Sequence, residues 1–359
     1  MIPISKPYID RNDQKIVTIA SKIGWGSKKD YYIEKFEKDF KKKIKIKYSI
    51  ATSSCTGALT LALSALNLKP NSEVILADIN WIASVSAIYS ARLKPVFIDI
   101  EKKNWCISPE SLERTLTKNT KAVIVTHLYG NAANIKKILK ICKKNNIYVI
   151  EDAAEALGSK IKNKYLGTFG HIGCFSFHGT KTITTGEGGM VVTNNKDIYK
   201  KIISLNSHGV SKNKQFYINH LGYKFKMTNI QAALGISQLK KLDKIVNKKR
   251  KIFFTYKKYI SSKNFFMNDE KKHEFNSYWM PTIVCRLKKF NRSKFQNYLK
   301  DKKVDTRVFF YPISSFDMFK KSKNLNSYSI YKKGINLPSY YDLKLKDVKK
   351  ISEYVNKFF

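Results

Sequence analysis

Lys181 and Asp152 are the two residues whose type and setting point to covalent chemistry. Lys181 stands in CFSFHGTKTITTGEGGMVVTN (Cys174 to Asn194), where a strand-like CFSFH delivers a lysine into a Thr- and Gly-rich loop before a second strand, GMVVTN. An amine confined at a strand end can have its pKa lowered by desolvation or a neighbouring cation, and can then form a Schiff base with a carbonyl. The plain alternative is a solvated loop lysine. Asp152 closes the apolar run IYVIE in the stretch EDAAEALG. It can cap the next helix by accepting from free N–H groups, or it can hold a proton on a heterocyclic nitrogen.

A carbonyl-trapping amine and a carboxylate that keeps a ring nitrogen protonated are the two requirements of pyridoxal phosphate chemistry. A phosphate then needs a cradle at a helix start. Ser54, Cys55 and Thr56 precede the apolar helix pattern ALTLALSAL, and small residues with free N–H groups at a helix N-terminus attract anions. Ordinary Ser/Thr capping explains the same residues equally well. Trp81, after the run VILAD, can stack on a pyridine ring or fill core.

The elements that must position these groups are legible from periodicity. The runs VILAD (74–78), PVFIDI (95–100), AVIVTHLYG (122–130) and IYVIEDAA (147–154) read as strands buried on both faces. Between them, residues 56–66, 84–91 and 134–145 have helical spacing. The alternation predicts an α/β fold, a mostly parallel sheet with helices on both faces. Ligands of such sheets bind beyond the carboxyl ends of the strands, which singles out Asp78, Asn80, His127, Asp152, Glu155, Ser176 and His178. After Leu242 the runs shorten and Lys, Tyr and Phe dominate. This predicts a large domain over 1–245 and a smaller α+β domain over 246–359, entered by one long helix near 229–258.

Composition removes several function classes. A 43% hydrophobic chain of 359 residues can bury a core, which excludes wholesale disorder. Only seven of the 68 basic residues are arginine, so the formal charge of +41 is a diffuse lysine excess. Nucleic-acid interfaces favour arginine and concentrate charge on one face, so no nucleic acid is expected as a partner. Five widely spaced cysteines lack the paired spacing of zinc or redox sites, and no metal is expected. No apolar run reaches the ~20 residues of a membrane span, and the opening residues lack a signal-peptide pattern, so the expected location is cytoplasmic, without membrane insertion.

The ordered motifs SSCTGAL, NWIAS, THLYG, EDAAEALG, GTFGHIGCFSFHGTKTITTGEGGMVVTN, GYKFKMTN, NSYWM, VFFYPI and GINLPS resemble the DegT/StrS family of pyridoxal-phosphate sugar-nucleotide aminotransferases. Within it they look most similar to the branch that makes GDP-perosamine. The resemblance runs from Pro7 to about Ser339. It implies the aspartate aminotransferase (type I) fold, a homodimer with shared active sites, and transfer of an amino group from L-glutamate to C4 of a nucleotide-linked 4-keto-6-deoxysugar. GDP-4-keto-6-deoxymannose is the implied substrate, with UDP- and dTDP-linked ketosugars as alternatives.

Position by position, the resemblance makes Lys181 the Schiff-base lysine and Asp152 the partner of the ring nitrogen. It places Glu155 near the ring, Trp81 over it, and Ser54, Cys55, Thr56 and Ser176 around the phosphate. Asn229 matches a residue reaching that phosphate from the second subunit. Lys28 is a candidate for the nucleotide diphosphate; His127, His178, Ser277, Tyr278 and Tyr311 are candidates for the sugar. Cys55, His178, Thr180, Phe225, Lys226 and Val308 depart from the usual pattern, which leaves the chemistry intact and the sugar open. A related branch carries histidine in place of the lysine and dehydrates its sugar. Lys181 therefore favours complete transamination over a deoxysugar dehydratase; a noncatalytic regulator or nucleic-acid-binding protein on the same fold, which the charge suggests, is the third reading.

Overall fold

A computed structural model describes residues 1–211, 213–261 and 263–358. In chain order the first strands are β1 (Tyr48–Thr52), β2 (Glu73–Ala77), β3 (Lys94–Ile98), β4 (Thr120–Thr126), β5 (Tyr148–Asp152), the short β6 (Lys160–Ile161) and β7 (Lys164–Tyr165), β8 (Ile172–Ser176) and β9 (Gly189–Thr193). Seven of them form the central sheet in the order β1-β9-β8-β5-β4-β2-β3. Pairing is parallel from β8 through to β3, whereas β9 runs antiparallel to both β8 and β1. The register sets Asp152 beside Thr126 on one side and Cys174 on the other. These strands are rich in Val and Ile because both sheet faces are covered.

The helices are α1 (Arg11–Ile23), α2 (Tyr31–Ile44), α3 (Cys55–Ala65), α4 (Ala83–Ser90), α5 (Pro109–Thr115), α6 (Ile135–Lys144), α7 (Lys196–Leu205), α8 (Asn229–Lys240), α9 (Leu242–Tyr259), α10 (Arg292–Asp301), α11 (Leu325–Ile330) and α12 (Leu345–Asn356). On one face α3, α4 and α7 pack on Val74, Leu76, Ile124, Ile150 and Ile172. On the other, α6 covers Ile75, Val123 and Val149, and α2 and α8 cover Phe175, Met190 and Val192. Successive strand residues serve opposite faces, as the period of two requires. None of these helices, among the described residues, is long and apolar enough to cross a membrane.

The smaller sheet, in the order β10-β12-β14-β13, comprises β10 (Phe265–Met267), β12 (Thr282–Cys285), β13 (Arg307–Val308) and β14 (Gly334–Asn336). It shares a core with α9, α10 and α12 through Ile252, Phe295 and Ile351. Strand β11 (Glu274–Phe275) joins β6 instead, so a segment beyond 245 completes a three-stranded sheet with residues of the larger part. The first residues also cross over: Ile2 bridges Val304, and Ile4 donates to the Asp305 carboxylate at 3.2 Å.

The single helix expected over 229–258 is two helices that meet at Lys241, whose φ/ψ of −96°/−1° ends α8. The cause is tertiary. The Lys241 amine turns toward α1, where it pairs with Asp13 and, at 3.0 Å, with Asp10.

Candidate active site

The anion cradle begins at the turn between β1 and α3. Ser54 is the N-cap of α3, in extended backbone, and its Oγ accepts from the Gly57 N–H at 3.0 Å. That leaves the first-turn N–H groups of Cys55 and Thr56 as the donors a helix start offers to an anion. The segment before α8 closes over this turn: the Ser53 N–H donates to the Phe225 carbonyl at 2.6 Å, and Thr52 bridges Lys226. A Cβ on Gly57 would lie 2.8 Å from the Phe225 ring, so glycine is what lets the two segments meet. Lys226, one of the departures from the usual pattern, is paired with Asp30 at 2.6 Å.

The carboxylates stand at the end of β5. Asp152 is 6% exposed and accepts from Ser84 Oγ at 3.0 Å and the Ala154 N–H at 3.1 Å. Asn80 steadies Ser84 in turn, donating to its Oγ at 3.2 Å and to Thr126 Oγ1 at 2.8 Å. Burial pushes the Asp152 pKa up, against its two hydrogen bonds and the charge of Lys181. Glu155, also buried, accepts from the Tyr129 N–H at 2.9 Å, and burial raises its pKa with Lys181 opposing.

Lys181 comes from the loop between β8 and β9. Its N–H donates to the His178 carbonyl at 2.9 Å, and the Thr185 N–H ties the far side of the loop to the Phe177 carbonyl at 2.8 Å. The Lys181 Nζ lies 3.5 Å from Glu155 Oε1 and 4.0 Å from the centroid of the Trp279 ring. The Trp279 Nε1 donates to the Thr180 carbonyl at 2.7 Å, so the indole grips the lysine's own loop as well as its amine. The Cys55 thiol, pushed up chiefly by burial, feels Asp152, Lys181 and Glu155 together. The helix start, both carboxylates and the amine therefore share one site.

Ser176 ends β8, buried, with its Oγ accepting from the His178 N–H at 3.3 Å. Trp81 is 60% exposed, its ring 5.7 Å from Phe310. Pro312 bridges Ile79, which brings the half-exposed Tyr311 to the same strand ends, where Arg292 reaches its hydroxyl at 3.4 Å. His178 is exposed and paired locally, with Thr180 Oγ1 at 3.0 Å and Glu187 Oε1 at 3.5 Å. Lys28 lies exposed in a single 3-10 turn over Gly26–Lys28.

Three expected ligand contacts are spent inside the chain, and a fourth, Tyr278, is buried with its ring stacked. His127 is fully buried; its Nδ1 accepts from the Ala133 N–H at 3.3 Å, which leaves Nε2 to donate to Glu151 at 2.9 Å. Neither nitrogen is left for a sugar. Ser277 is buried and receives the Ser159 hydroxyl at 2.9 Å, while Tyr278 stacks on Phe253 at 3.5 Å between centroids. Asn229 holds its own subunit together: its Oδ1 accepts from the Tyr32 N–H at 2.9 Å, and its Nδ2 donates to the carbonyls of Gly24 at 2.7 Å and Lys28 at 2.9 Å.

Other residues at the site carry no role in the sequence reading. Trp279 and Ser84 sit inside the motifs NSYWM and NWIAS, yet nothing in their spacing says that one covers the amine and the other anchors Asp152. Glu151 faces the opposite way from Asp152 and accepts from the N–H groups of Gly167 (2.9 Å), Phe169 and Gly170 (both 2.6 Å), as well as from His127. A carboxylate with that many donors behind a strand end fixes the loop that leads into β8.

The donor set fits pyridoxal phosphate. An amine with one oxygen at the limit of hydrogen-bonding distance, a buried carboxylate across from it and a helix start with free N–H groups match the aldehyde, ring nitrogen and phosphate in turn. Comparison with known proteins agrees. The chain is 39% identical over 320 residues to GDP-perosamine synthase of Escherichia coli O157:H7, covering 89% of this chain and 87% of that one. It is 36% identical to the Vibrio cholerae enzyme of the same name, covering 89% and 88%. Among solved structures, Helicobacter pylori PseC, an aminotransferase involved in the biosynthesis of pseudoaminic acid, superposes with a TM-score of 0.92 at 27% identity, covering 100% and 99%. The sequence profile of the DegT/DnrJ/EryC1/StrS aminotransferase family matches residues 7–356, and the chain belongs to that family as a pyridoxal-phosphate-dependent sugar-nucleotide transaminase.

Proposed function

We propose that this transaminase moves an amino group from L-glutamate to C4 of GDP-4-keto-6-deoxymannose, forming GDP-perosamine. The observation that carries the reading is the retained Lys181 amine, held between Glu155 and Trp279 in a chain whose relatives at 39% and 36% identity are named GDP-perosamine synthases. When bound, pyridoxal phosphate supplies an aldehyde to carry the amino group and an electron-poor ring to hold the electron pair left by a departing proton.

The chain's own residues do the rest. Lys181 takes the proton from the Cα of glutamate and, in the second half, delivers one to C4 of the sugar, and its partly buried amine, with a single weak oxygen contact, is free to do both. Asp152, fixed by Ser84 and the Ala154 N–H, offers a charge that keeps a ring nitrogen protonated. The N–H groups of Cys55 and Thr56, with Ser54 and Ser176 near the same strand ends, serve the phosphate, and Trp81 shields a ring face from water. Lys28, His178 and Tyr311 remain the candidates for the nucleotide sugar.

The proposal includes a homodimer acting in the cytoplasm. Phe216 and Leu221 are 90% and 93% exposed on the segment leading to Phe225, an apolar display that a second copy would cover. The test is a panel of GDP-, UDP- and dTDP-linked 4-keto-6-deoxysugars incubated with holoenzyme and glutamate and read by product mass. Amination of the GDP-linked mannose derivative is expected. Turnover of a UDP- or dTDP-linked sugar with the GDP sugar inert would overturn the substrate, and loss of water without nitrogen gain would overturn the reaction.

A further inference from the structure

Lys249, on α9, is 4% exposed and is the one buried lysine among the described residues. Its Nζ donates to three acceptors: the Ser339 carbonyl at 2.9 Å, the Trp279 carbonyl at 3.2 Å and Ser339 Oγ at 3.4 Å. All three are neutral. Burial pulls its pKa down to about 7. An ammonium has three N–H groups for three acceptors, whereas a neutral amine has two and turns a lone pair toward one of them. Retaining such a group in a core costs stability unless its hydrogen bonds are made.

What those bonds hold is informative. Trp279 is the residue whose indole lies under the Lys181 Nζ at 4.0 Å and donates to the Thr180 carbonyl. Its ring also stacks on Tyr129 at 6.2 Å between centroids, and the Tyr129 N–H binds Glu155, the second partner of the amine. The other anchor, Ser339, is buried and donates its N–H to the Ile4 carbonyl at 2.9 Å, so the platform is fixed from both ends of the chain. We propose that Lys249 is a positioning residue for the reactive amine: through the Trp279 carbonyl it fixes the indole that covers Lys181, and so sets how readily Lys181 releases its proton. The charged and titratable groups facing Lys181 itself are Glu155, Asp152 and the Cys55 thiol, and the hydrogen bonds of Lys249 go to none of them. The inference rests on Lys181 being the working amine and needs no particular sugar.

The test uses the full chain without cofactor or substrate. Trace labelling with acetic anhydride between pH 6 and 10, quantified by peptide mass spectrometry, reads the reactivity of Lys181 with every other labelled lysine as an internal control. In Lys249→Met the Trp279 carbonyl loses its buried donor, and the indole, left to its Thr180 hydrogen bond and Tyr129 contact, shifts its ring face from the ammonium. Lys181 labelling at pH 8 should rise about fivefold, the equivalent of about 1 kcal/mol of cation–π contact, with its midpoint moved to lower pH. Lys249→Arg, which keeps the donors, should stay near wild type. Lys249→Gln, with two donors, is the milder variant should the methionine form fail to fold, and should shift the same way by a smaller factor. Wild-type labelling of Lys181 in whichever of K249M and K249Q melts cooperatively would overturn the proposal. If the shift appears while the sugar panel shows no amination, the substrate reading falls and the role of Lys249 stands.

Discussion

Asn229→Ala separates two incompatible roles for one residue. The family resemblance makes Asn229 a phosphate contact reaching into a second subunit, whereas the fold spends its amide on Tyr32, Gly24 and Lys28 of the same chain. Alanine removes one acceptor and two donors. The Lys28 carbonyl, in an exposed turn, regains water, but the Tyr32 N–H and Gly24 carbonyl are buried. Leaving two such groups unpaired costs about 3 kcal/mol in all. Unfolding entropy scales at about 2.1 cal/mol/K per residue, so for 359 residues this predicts a melting temperature lower by about 4 °C. The assay is a thermal melt of cofactor-free protein at fixed concentration, run beside a titration with pyridoxal phosphate. An unchanged melt with a weakened cofactor affinity would refute the tether and restore the cross-subunit contact.

Asp152→Asn should fold, because asparagine can still accept from the Ala154 N–H and Ser84 can reverse its hydroxyl. Losing the carboxylate charge, worth about 4 kcal/mol against a cation at about 4 Å and an effective dielectric near 20, should lower the amination rate about 10³-fold; a loss below tenfold in mass-detected turnover would count against its role. Glu37 accepts from the Ala51 N–H at 2.7 Å and burial raises its pKa to about 7. The native state then binds a proton that the unfolded state has lost between the ordinary glutamate range and pH 7, so stability falls as pH rises through that window. Glu37→Gln should flatten the denaturation midpoint between pH 5 and 8; an unaltered slope would contradict this.

The strands and the Lys181–Asp152 pair were legible because a sheet buried on both faces writes itself as short Val/Ile runs, and ligands gather where such runs end. His127 obeyed the same positional rule yet turned its ring toward Glu151, a choice made by the neighbouring strand and by the loop that Glu151 organises. Ser277 and Tyr278 lie next to Trp279, and only the third reaches the amine, because the positive φ of Tyr278 (49°) sends adjacent side chains to different layers. The break at Lys241 was equally hidden, since its partners Asp10 and Asp13 come from α1. Local pattern places a residue on an element; the partner that claims its polar atoms is set by packing between distant segments.

The pairing of Ile2 and Ile4 with residues 303–305 has a temporal consequence. Their partners are separated from them by some 301 positions, and a ribosome adding about 5 to 20 residues per second takes on the order of 15 to 60 s to cover that distance. The central sheet can be assembled and waiting long before the chain's opening residues find their place. Ile2 and Ile4 must wait for residues 303–305, and because the Ser339 N–H also binds the Ile4 carbonyl, the segment is fully secured only after β14 has been made.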